Sequence, residues 1–323
     1  MVTAKRILTA TIAGLLLAAA GCGSNAGSGQ QNAPGTLDVG VVASLSSASY
    51  YEAEAEGAFK KAGLTTKSSL VASGQQAVPL LLNGQIQFAS SDVSGVMTAV
   101  AARNDVVMVA SASACATTAA TDPTGVMVAP KSGITSARQL SGKTVAIVAL
   151  RGQSQMTVQA AVDNDGGDSS TIKFVELPIT GMVDALKAGT VDAALLTEPF
   201  TTVAKSAGLK VLFAPFSAST PGVPQVVYMA TRKWVDSHPV ETKAFYEAIT
   251  SANETLSANP EKIVEIGLKH TEVPEKQLRS MALPVFEPST IQLDAVKSYV
   301  DLMVKYGYLK SPIDAAKYIY QPR

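Results

Sequence analysis

One nine-residue pattern occurs twice in this chain, first as Leu81-Leu82-Asn83-Gly84-Gln85-Ile86-Gln87-Phe88-Ala89 and again as Leu186-Lys187-Ala188-Gly189-Thr190-Val191-Asp192-Ala193-Ala194. Leu, Gly, a β-branched residue and Ala fall at matching offsets. Each copy reads as the last turn of a helix, a Gly able to take the left-handed conformation that ends it, and a short buried strand. Each then runs into a polar, acid-bearing turn that opens a new helix, Ser90-Ser91-Asp92 after the first and Thr197-Glu198-Pro199 after the second. Ligands of open α/β sheets bind beyond the carboxyl ends of the strands. Two such turns therefore predict two lobes that present helix N-termini to one shared cleft.

The ends of the chain bound its location. Lys5 and Arg6 precede an apolar run, Ile7 to Ala20, too short for a stable membrane anchor and suited to the core of a signal peptide. Residues 1–21 are expected to be removed. Ala19-Ala20-Gly21-Cys22 resembles a bacterial lipobox with Ala19 where Leu is usual, so Cys22 is expected to carry a lipid; an ordinary secretory cut nearby is the alternative. Residues 22–36, rich in Gly, Ser, Asn and Gln, cannot bury enough surface to fold and fit a flexible tether. Lys5 and Arg6 are the only charged residues lost, so the formal charge moves from 26 − 26 = 0 to 24 − 26 = −2. There is no basic stripe, and nucleic acid is not an expected partner. Once Cys22 is assigned to lipid, Cys115 stands alone among small residues, where it fits a buried, inert thiol.

Apolar runs at Leu37–Ala43, Ser69–Ala72, Ile86–Ser90 and Val106–Ser111 alternate with helical stretches near Ala48–Lys61, Val78–Asn83 and Val93–Arg103. Pro79 is expected in the first turn of its helix. A second series of strands follows at Gly125–Pro130, Lys143–Leu150, Ile172–Leu177, Val191–Leu196 and Lys210–Phe213, with helices near Ser154–Asp163, Met182–Lys187 and Phe200–Ala207. The βαβ order predicts mainly parallel sheets covered on both faces. Segments 112–124 and 214–224, small and polar or Pro-rich, break the pattern and read as two crossings between lobes, which together make a hinge. After the strand Gln225–Thr231 the chain is almost wholly helical, with starts at Pro239, Pro260, Pro274 and Ser289. The expected division is 37–112 with 225–323 as the first lobe and its C-terminal helices, and 113–224 as the second lobe with both crossings.

Several segments occur in order at the spacing of a known family: Gly57-Ala58-Phe59-Lys60-Lys61-Ala62-Gly63-Leu64, Gly84-Gln85-Ile86-Gln87-Phe88-Ala89, Ile134 to Val145, and Gly189 to Ala194 with Glu198-Pro199. Together they resemble the substrate-binding proteins of ABC importers in the nitrate, sulfonate, taurine and thiamine-precursor group, over about Leu37 to Tyr308. The resemblance implies a type II periplasmic-binding-protein fold, two α/β lobes with a hinge, a ligand buried between them and a helical C-terminal extension.

The resemblance further implies ligand contacts from the strand-end turns: Ser44, Ser46 and Ser47; Gly74 and Gln75; Ser90, Ser91 and Asp92; Arg151, Gln153 and Ser154; Thr180 and Gly181; and Glu198. The physical reason is common to all. A helix N-terminus leaves backbone N–H groups unpaired and carries partial positive charge, so several in one cleft favour an anionic ligand. Plainer roles stand beside these. Ser47, Ser90, Asp92 and Ser154 serve equally well as N-caps, each contributing about 1 kcal/mol. Arg151 suits a bidentate clamp on a carboxylate or sulfonate, or a solvated surface position. Glu198 could hold an ammonium or amide of the ligand, or cap the following helix. The thiamine-precursor binders carry extra aromatic, Asn and His residues after the first strand, whereas this loop is short and Ser-rich, which disfavours a pyrimidine.

The expected protein is thus an extracytoplasmic, lipid-anchored monomer that delivers a small anionic nutrient of the sulfonate, taurine or nitrate class to ABC permease subunits. A lipid-anchored sensor and a pyrimidine-precursor binder are the alternatives, together with a synthase-like enzyme, since the fold also hosts a fungal-type pyrimidine synthase with a cysteine-rich iron motif and pyridoxal phosphate. That motif is missing here, His238 and His270 have no ligand types at metal spacing, and no nucleophile has an identifiable base. The sequence therefore predicts neither catalysis nor a cofactor nor a metal.

Overall fold

The computed structural model describes residues 36–42, 44–287 and 290–322. The signal segment, Cys22, the tether up to residue 35 and the helix start proposed at Ser289 lie outside the described residues.

Strand β1 (Thr36–Val42) leads through a 3-10 turn, Leu45–Ser47, into α1 (Ala48–Ala55) and α2 (Ala58–Lys61). The single helix expected there is broken at Gly57, whose φ of +67° interrupts the α-helical ladder. Then come β2 (Thr65–Val71), α3 (Gly74–Leu82), β3 (Phe88–Ser91), α4 (Val93–Ala101) and β4 (Val106–Ala114). The second run is β5 (Thr124–Val128), β6 (Thr144–Ile147), α5 (Gln153–Asn164), β7 (Lys173–Glu176), α6 (Ile179–Ala188), β8 (Ala193–Thr197), α7 (Phe200–Ser206) and β9 (Lys210–Phe213). A short helix, α8 (Pro215–Ser219), leads back to β10 (Pro224–Thr231). Five helices finish the chain: α9 (Arg232–Ser237), α10 (Pro239–Ala258), α11 (Glu261–His270), α12 (Glu275–Leu278) and α13 (Leu293–Lys305).

The strands form two five-stranded sheets with one plan, β2-β1-β3-β10-β4 and β7-β6-β8-β5-β9. In each, the strand that arrives from the other lobe, β10 or β5, is antiparallel to both neighbours, and the remaining strands are parallel to one another. The two copies of the sequence repeat lead into β3 and β8, the same station in each sheet. Gly84 and Gly189 both adopt positive φ, +70° and +67°, where a side chain would be strained. Within strands, successive residues go to opposite layers. Phe88 and Tyr228 face α1 and α10, with Phe88 stacked on Phe245 at 3.9 Å; Ala89 and Met229 face α3, α4 and α13. The second sheet divides likewise between α5 on one side and α6 with α7 on the other.

Pro79 corrects one expectation. Helix α3 starts at Gly74, capped by the Ser73 side chain, so Pro79 is its sixth residue. The carbonyl deprived of a donor belongs to Gln75, an exposed residue, which limits the cost of the missing bond.

The crossings between the lobes pair with each other: Cys115 N–H donates to Val223 O at 2.8 Å and Gly222 N–H to Cys115 O at 3.1 Å. Around them Met156 and Phe216 of the second lobe join the same apolar cluster as Val227 and α13 of the first. The C-terminal segment makes a third link. Tyr306 Oη donates to Asp163 Oδ2 at 2.8 Å, Tyr308 Oη to Gln159 Oε1 at 3.2 Å, and Lys305 lies 3.5 Å from Asp163. The same region covers the edge of β4, where Ile319 and Val285 bridge to Met108 and Ala114.

Candidate ligand-binding cleft

Two cavities open between the lobes and share Ser44, Ser46, Thr197 and Gln225, so they form one continuous cleft. The polar half has a volume of about 660 Å³. Helices α3, α4 and α5 all begin at its wall, because in both sheets the helices follow the carboxyl ends of the strands. Ser91, at the end of β3, sits at the junction of α3 and α4. A Cβ added at Gly74 would lie 2.0 Å from Ser91 Oγ, and one at Gly95 would lie 2.6 Å away. Position 74 must be Gly for α3 to start this close to the strand, because a Cβ there also meets Ser91 backbone at 2.8 Å, whereas at 95 only the Ser91 hydroxyl would have to move.

The helix starts differ in how their amides are occupied. Ser73 Oγ accepts from Gln76 N–H at 3.3 Å in α3. Asp92 Oδ1 accepts from Gly95 N–H at 2.5 Å and from Ser94 Oγ at 2.6 Å in α4, and Ser44 Oγ accepts from Ser46 N–H at 3.2 Å in the turn before α1. Helix α5 has Gly152 at its cap and no side-chain cap bond. Its first-turn amides therefore keep their donor capacity toward the cleft. Ser47 Oγ, fully buried on the cleft wall, has no hydrogen-bond partner, and Gln225 Oε1 at the junction of the two halves is also buried and unpaired.

The structure brings Ser44, Ser46, Ser47, Gly74, Gln75, Ser91, Asp92, Arg151, Gln153 and Ser154 to the polar half. Ser90 is not on it: the side chain faces the other way along β3, and Oγ accepts from Val42 N–H at 2.8 Å. Thr180 and Gly181 are exposed on the first turn of α6 and line neither half, whereas their neighbour Ile179 lines the other half. Glu198 also lies in that other half, where its carboxylate accepts from Thr202 N–H and Thr202 Oγ1, both at 3.0 Å, and so caps α7. Gln153 turns its amide back to the hinge and donates to Cys115 Sγ at 3.4 Å. Burial pushes that thiol up to about 12, as expected for an inert cysteine.

Arg151 stands at the cleft edge in a left-handed conformation, φ +58°. Its N–H donates to Gln155 Oε1 at 2.8 Å, its Nη2 donates to Gly307 O at 2.8 Å, and its guanidinium carbon lies 5.3 Å from the Tyr308 ring centre. The side chain expected to clamp an anion is thus engaged with the C-terminal segment. Tyr51 in α1 stacks on His270 at 3.9 Å.

The second half of the cleft, about 580 Å³, has much the same balance of apolar and polar lining as the first and is closed on one side by Gln277, whose amide donates to Pro199 O at 3.0 Å across the lobes. Its walls come from Leu45, Ile179, Phe200 and the segment 271–284. Of this half the sequence reading named only Glu198 and the shared Ser44 and Ser46; it missed the rest, along with Ser73, Thr197 and Gln225. Ser73 had a signal, a Ser three residues before Gln76 at a helix start; segment 271–284 carried only the helix start at Pro274, which gives no sign that the segment returns to the cleft.

A family model described as NMT1/THI5 like matches residues 44–263, more than half of the chain. The chain belongs to this family. Comparison with curated proteins finds no match. Among solved structures, the chain is similar to the periplasmic aliphatic sulphonate binding protein SsuA from Escherichia coli, with a TM-score of 0.73 at 18% identity over 90% of this chain and 94% of that one. It is also similar to the periplasmic nitrate-binding protein NrtA from Synechocystis PCC 6803, with a TM-score of 0.69 at 15% identity over 87% and 84%. A third, the Candida albicans CA3427 gene product, described as having the generic periplasmic binding protein structural fold, gives 0.69 at 14% identity over 89% and 97%. This family member therefore has the periplasmic-binding-protein fold in its type II form, with a helical C-terminal extension. No helix among the described residues is long and apolar enough to cross a membrane, and no group of three or more His, Cys, Asp or Glu able to hold a metal ion occurs among them.

Proposed function

We propose that the protein is an extracytoplasmic solute-binding lipoprotein that captures an anionic nutrient of the sulfonate, taurine or nitrate class and delivers it to an ABC importer. The observation that carries this reading is the polar half of the cleft, where three helix N-termini meet and α5 has no side-chain cap. An anion placed there receives backbone N–H groups and the positive end of the helix dipole without displacing a cap. The buried, unpaired Ser47 Oγ supplies a further donor. Sulphonate and nitrate in the names of two structural neighbours point to the same chemistry. In this reading Ser46, Ser47, Gly74, Gln75, Ser91 and Asp92 meet the ligand from the first lobe and Gly152, Gln153 and Ser154 from the second. Transport follows from population shift: a ligand that touches both lobes favours the closed form, which permease subunits recognise.

The signal-like N-terminus with Cys22 and its polar tether supports membrane attachment outside the cytoplasm. Mass spectrometry of ligand released from the purified protein, with thermal-shift assays of sulfonates, taurine, nitrate and pyrimidines, tests the binding role. The reading expects stabilisation by sulfur- or nitrogen-centred anions; stabilisation by pyrimidines alone contradicts it. For the anchor, Cys22→Ala should move the protein from the membrane fraction to the soluble fraction, and unchanged membrane retention contradicts lipidation.

A further inference from the structure

Resting on the reading above only in that the lobes close on a ligand, we propose that the turn 305–308, which ends α13, is a strap that grips α5 from outside the cleft. It stabilises the closed arrangement of the lobes and so sets ligand affinity without touching the ligand. The contacts are concentrated on this one turn. Tyr306 Oη donates to Asp163 Oδ2 at 2.8 Å, Tyr308 Oη to Gln159 Oε1 at 3.2 Å, and Arg151 Nη2 to Gly307 O at 2.8 Å. Lys305 Nζ lies 3.5 Å from Asp163, and the Arg151 guanidinium packs against the Tyr308 ring. Gln159 and Asp163 are four residues apart and share one stripe of α5, which the turn follows back to Arg151. None of residues 305–308 lines either half of the cleft.

The base of the strap is fixed to the first lobe. Val296, Val300 and Met303 of α13 are buried in one cluster with Val96, Met97 and Val100 of α4. Gly307, at φ +71°, closes the helix end, where its N–H donates to Val304 O and that of Tyr308 to Met303 O. The tip, by contrast, holds the second lobe. A rotation about the paired crossings at Cys115 and Val223 that draws Gln277 away from Pro199 O also moves α5 relative to α13. Apolar contacts across the hinge, such as those of Met156, are non-directional and tolerate a slide. Hydrogen bonds of 2.8 to 3.2 Å depend steeply on distance and angle, and the turn cannot follow α5 while α13 stays packed on α4. The strap contacts therefore belong to the closed arrangement and raise its population. Arg151 marks the same point: its left-handed backbone, φ +58°, is costly for a residue with a side chain, and its bonds to Gln155 and Gly307 hold it there.

Double electron–electron resonance tests the strap without a ligand. Spin labels at Leu70→Cys in the first lobe and Thr180→Cys in the second, both exposed positions near carboxyl ends of strands, report the separation of the lobes. The mature chain carrying Cys22→Ala is used, and Cys115, 1% exposed, takes no label. Tyr306→Phe/Tyr308→Phe, which removes both hydroxyls and keeps both rings, should lower the ratio of short to long distances at least about threefold. Lys305→Ala, at a side chain 52% exposed, should shift it the same way by a smaller factor and does not threaten the fold. Where methanesulfonate, taurine or nitrate binds the unsubstituted protein, its Kd in the double variant should rise by the factor by which the short-distance fraction falls. A distance distribution unchanged in both variants overturns the strap. So does a weakened Kd at an unchanged distribution, which would leave the turn shaping α5 alone. A shift in distances with no binding of any of the three anions leaves the strap standing and removes the anion reading.

Discussion

The two lobes present the same strand order to the cleft but prepare their helix starts differently. On the first lobe Ser44, Ser73 and Asp92 each spend a side-chain oxygen on their own turn or helix. On the second, Glu198 does this for α7, while α5 begins at Gly152 with no side-chain cap. An amide already paired with its cap has little left for a ligand. Each cap takes one amide, Gln76 in α3 and Gly95 in α4, while α5 keeps its whole first turn free of a side-chain cap. The helix starts of the first lobe are thus partly committed to their own stability, and that of α5 is not.

Glycine substitutions expose that division most strongly. A Cβ at Gly74 would meet the Ser91 side chain at 2.0 Å and its backbone at 2.8 Å, whereas one at Gly152 meets nothing nearer than Ala149 O at 3.8 Å. Gly74→Ala should lower unfolding stability by about 3 kcal/mol, and Gly152→Ala by less than about 0.5 kcal/mol, as read from urea denaturation. Equal losses would erase the contrast between the lobes. Next in size, Asp92→Ala removes the cap of α4 and should lower stability by about 1 to 2 kcal/mol, with Ser73→Ala near 1 kcal/mol.

Arg151→Ala sharpens the picture further. A guanidinium that clamped a buried anion would take about 2 to 5 kcal/mol of binding with it. Because Arg151 is engaged with Gly307 and Tyr308, the expected loss is below about 1 kcal/mol, in keeping with an exposed cation–π contact, and Tyr308→Leu should match it in calorimetry. A loss above 2 kcal/mol for Arg151→Ala alone would return the clamp.

The features legible in the sequence were the local ones. The repeated Leu-x-x-Gly-x-β-x-x-Ala pattern marked β3 and β8 because a helix end, a left-handed Gly and a buried strand are each encoded within a few residues. Asp92 was readable as a cap for the same reason. What escaped depended on side-chain phase or on distant partners. Ser90 and Ser91 are adjacent, yet one ties β1 to β3 and the other packs between two helix starts; a one-residue change of phase swaps the faces of a strand, and composition does not set the phase. Arg151 found its partner at Gly307, 156 residues on (307 − 151), through a link that no motif announces. The second half of the cleft depends on segment 271–284 returning to the mouth of the lobes, which only the tertiary packing of α11 and α12 determines.

Capping α5 tests the central claim most directly. Gly152 sits in extended backbone, φ −112° and ψ −178°, with room for a side chain, so Gly152→Asp can place a carboxylate over the first-turn amides as Asp92 does in α4. The account predicts unchanged or slightly raised thermal stability, by a few tenths of a kcal/mol, together with at least a tenfold weaker Kd, by titration calorimetry, for the sulfonate or nitrate that most stabilises the unsubstituted protein, because the new carboxylate both occupies the donors and repels the anion. An undiminished affinity in a folded Gly152→Asp protein would contradict it.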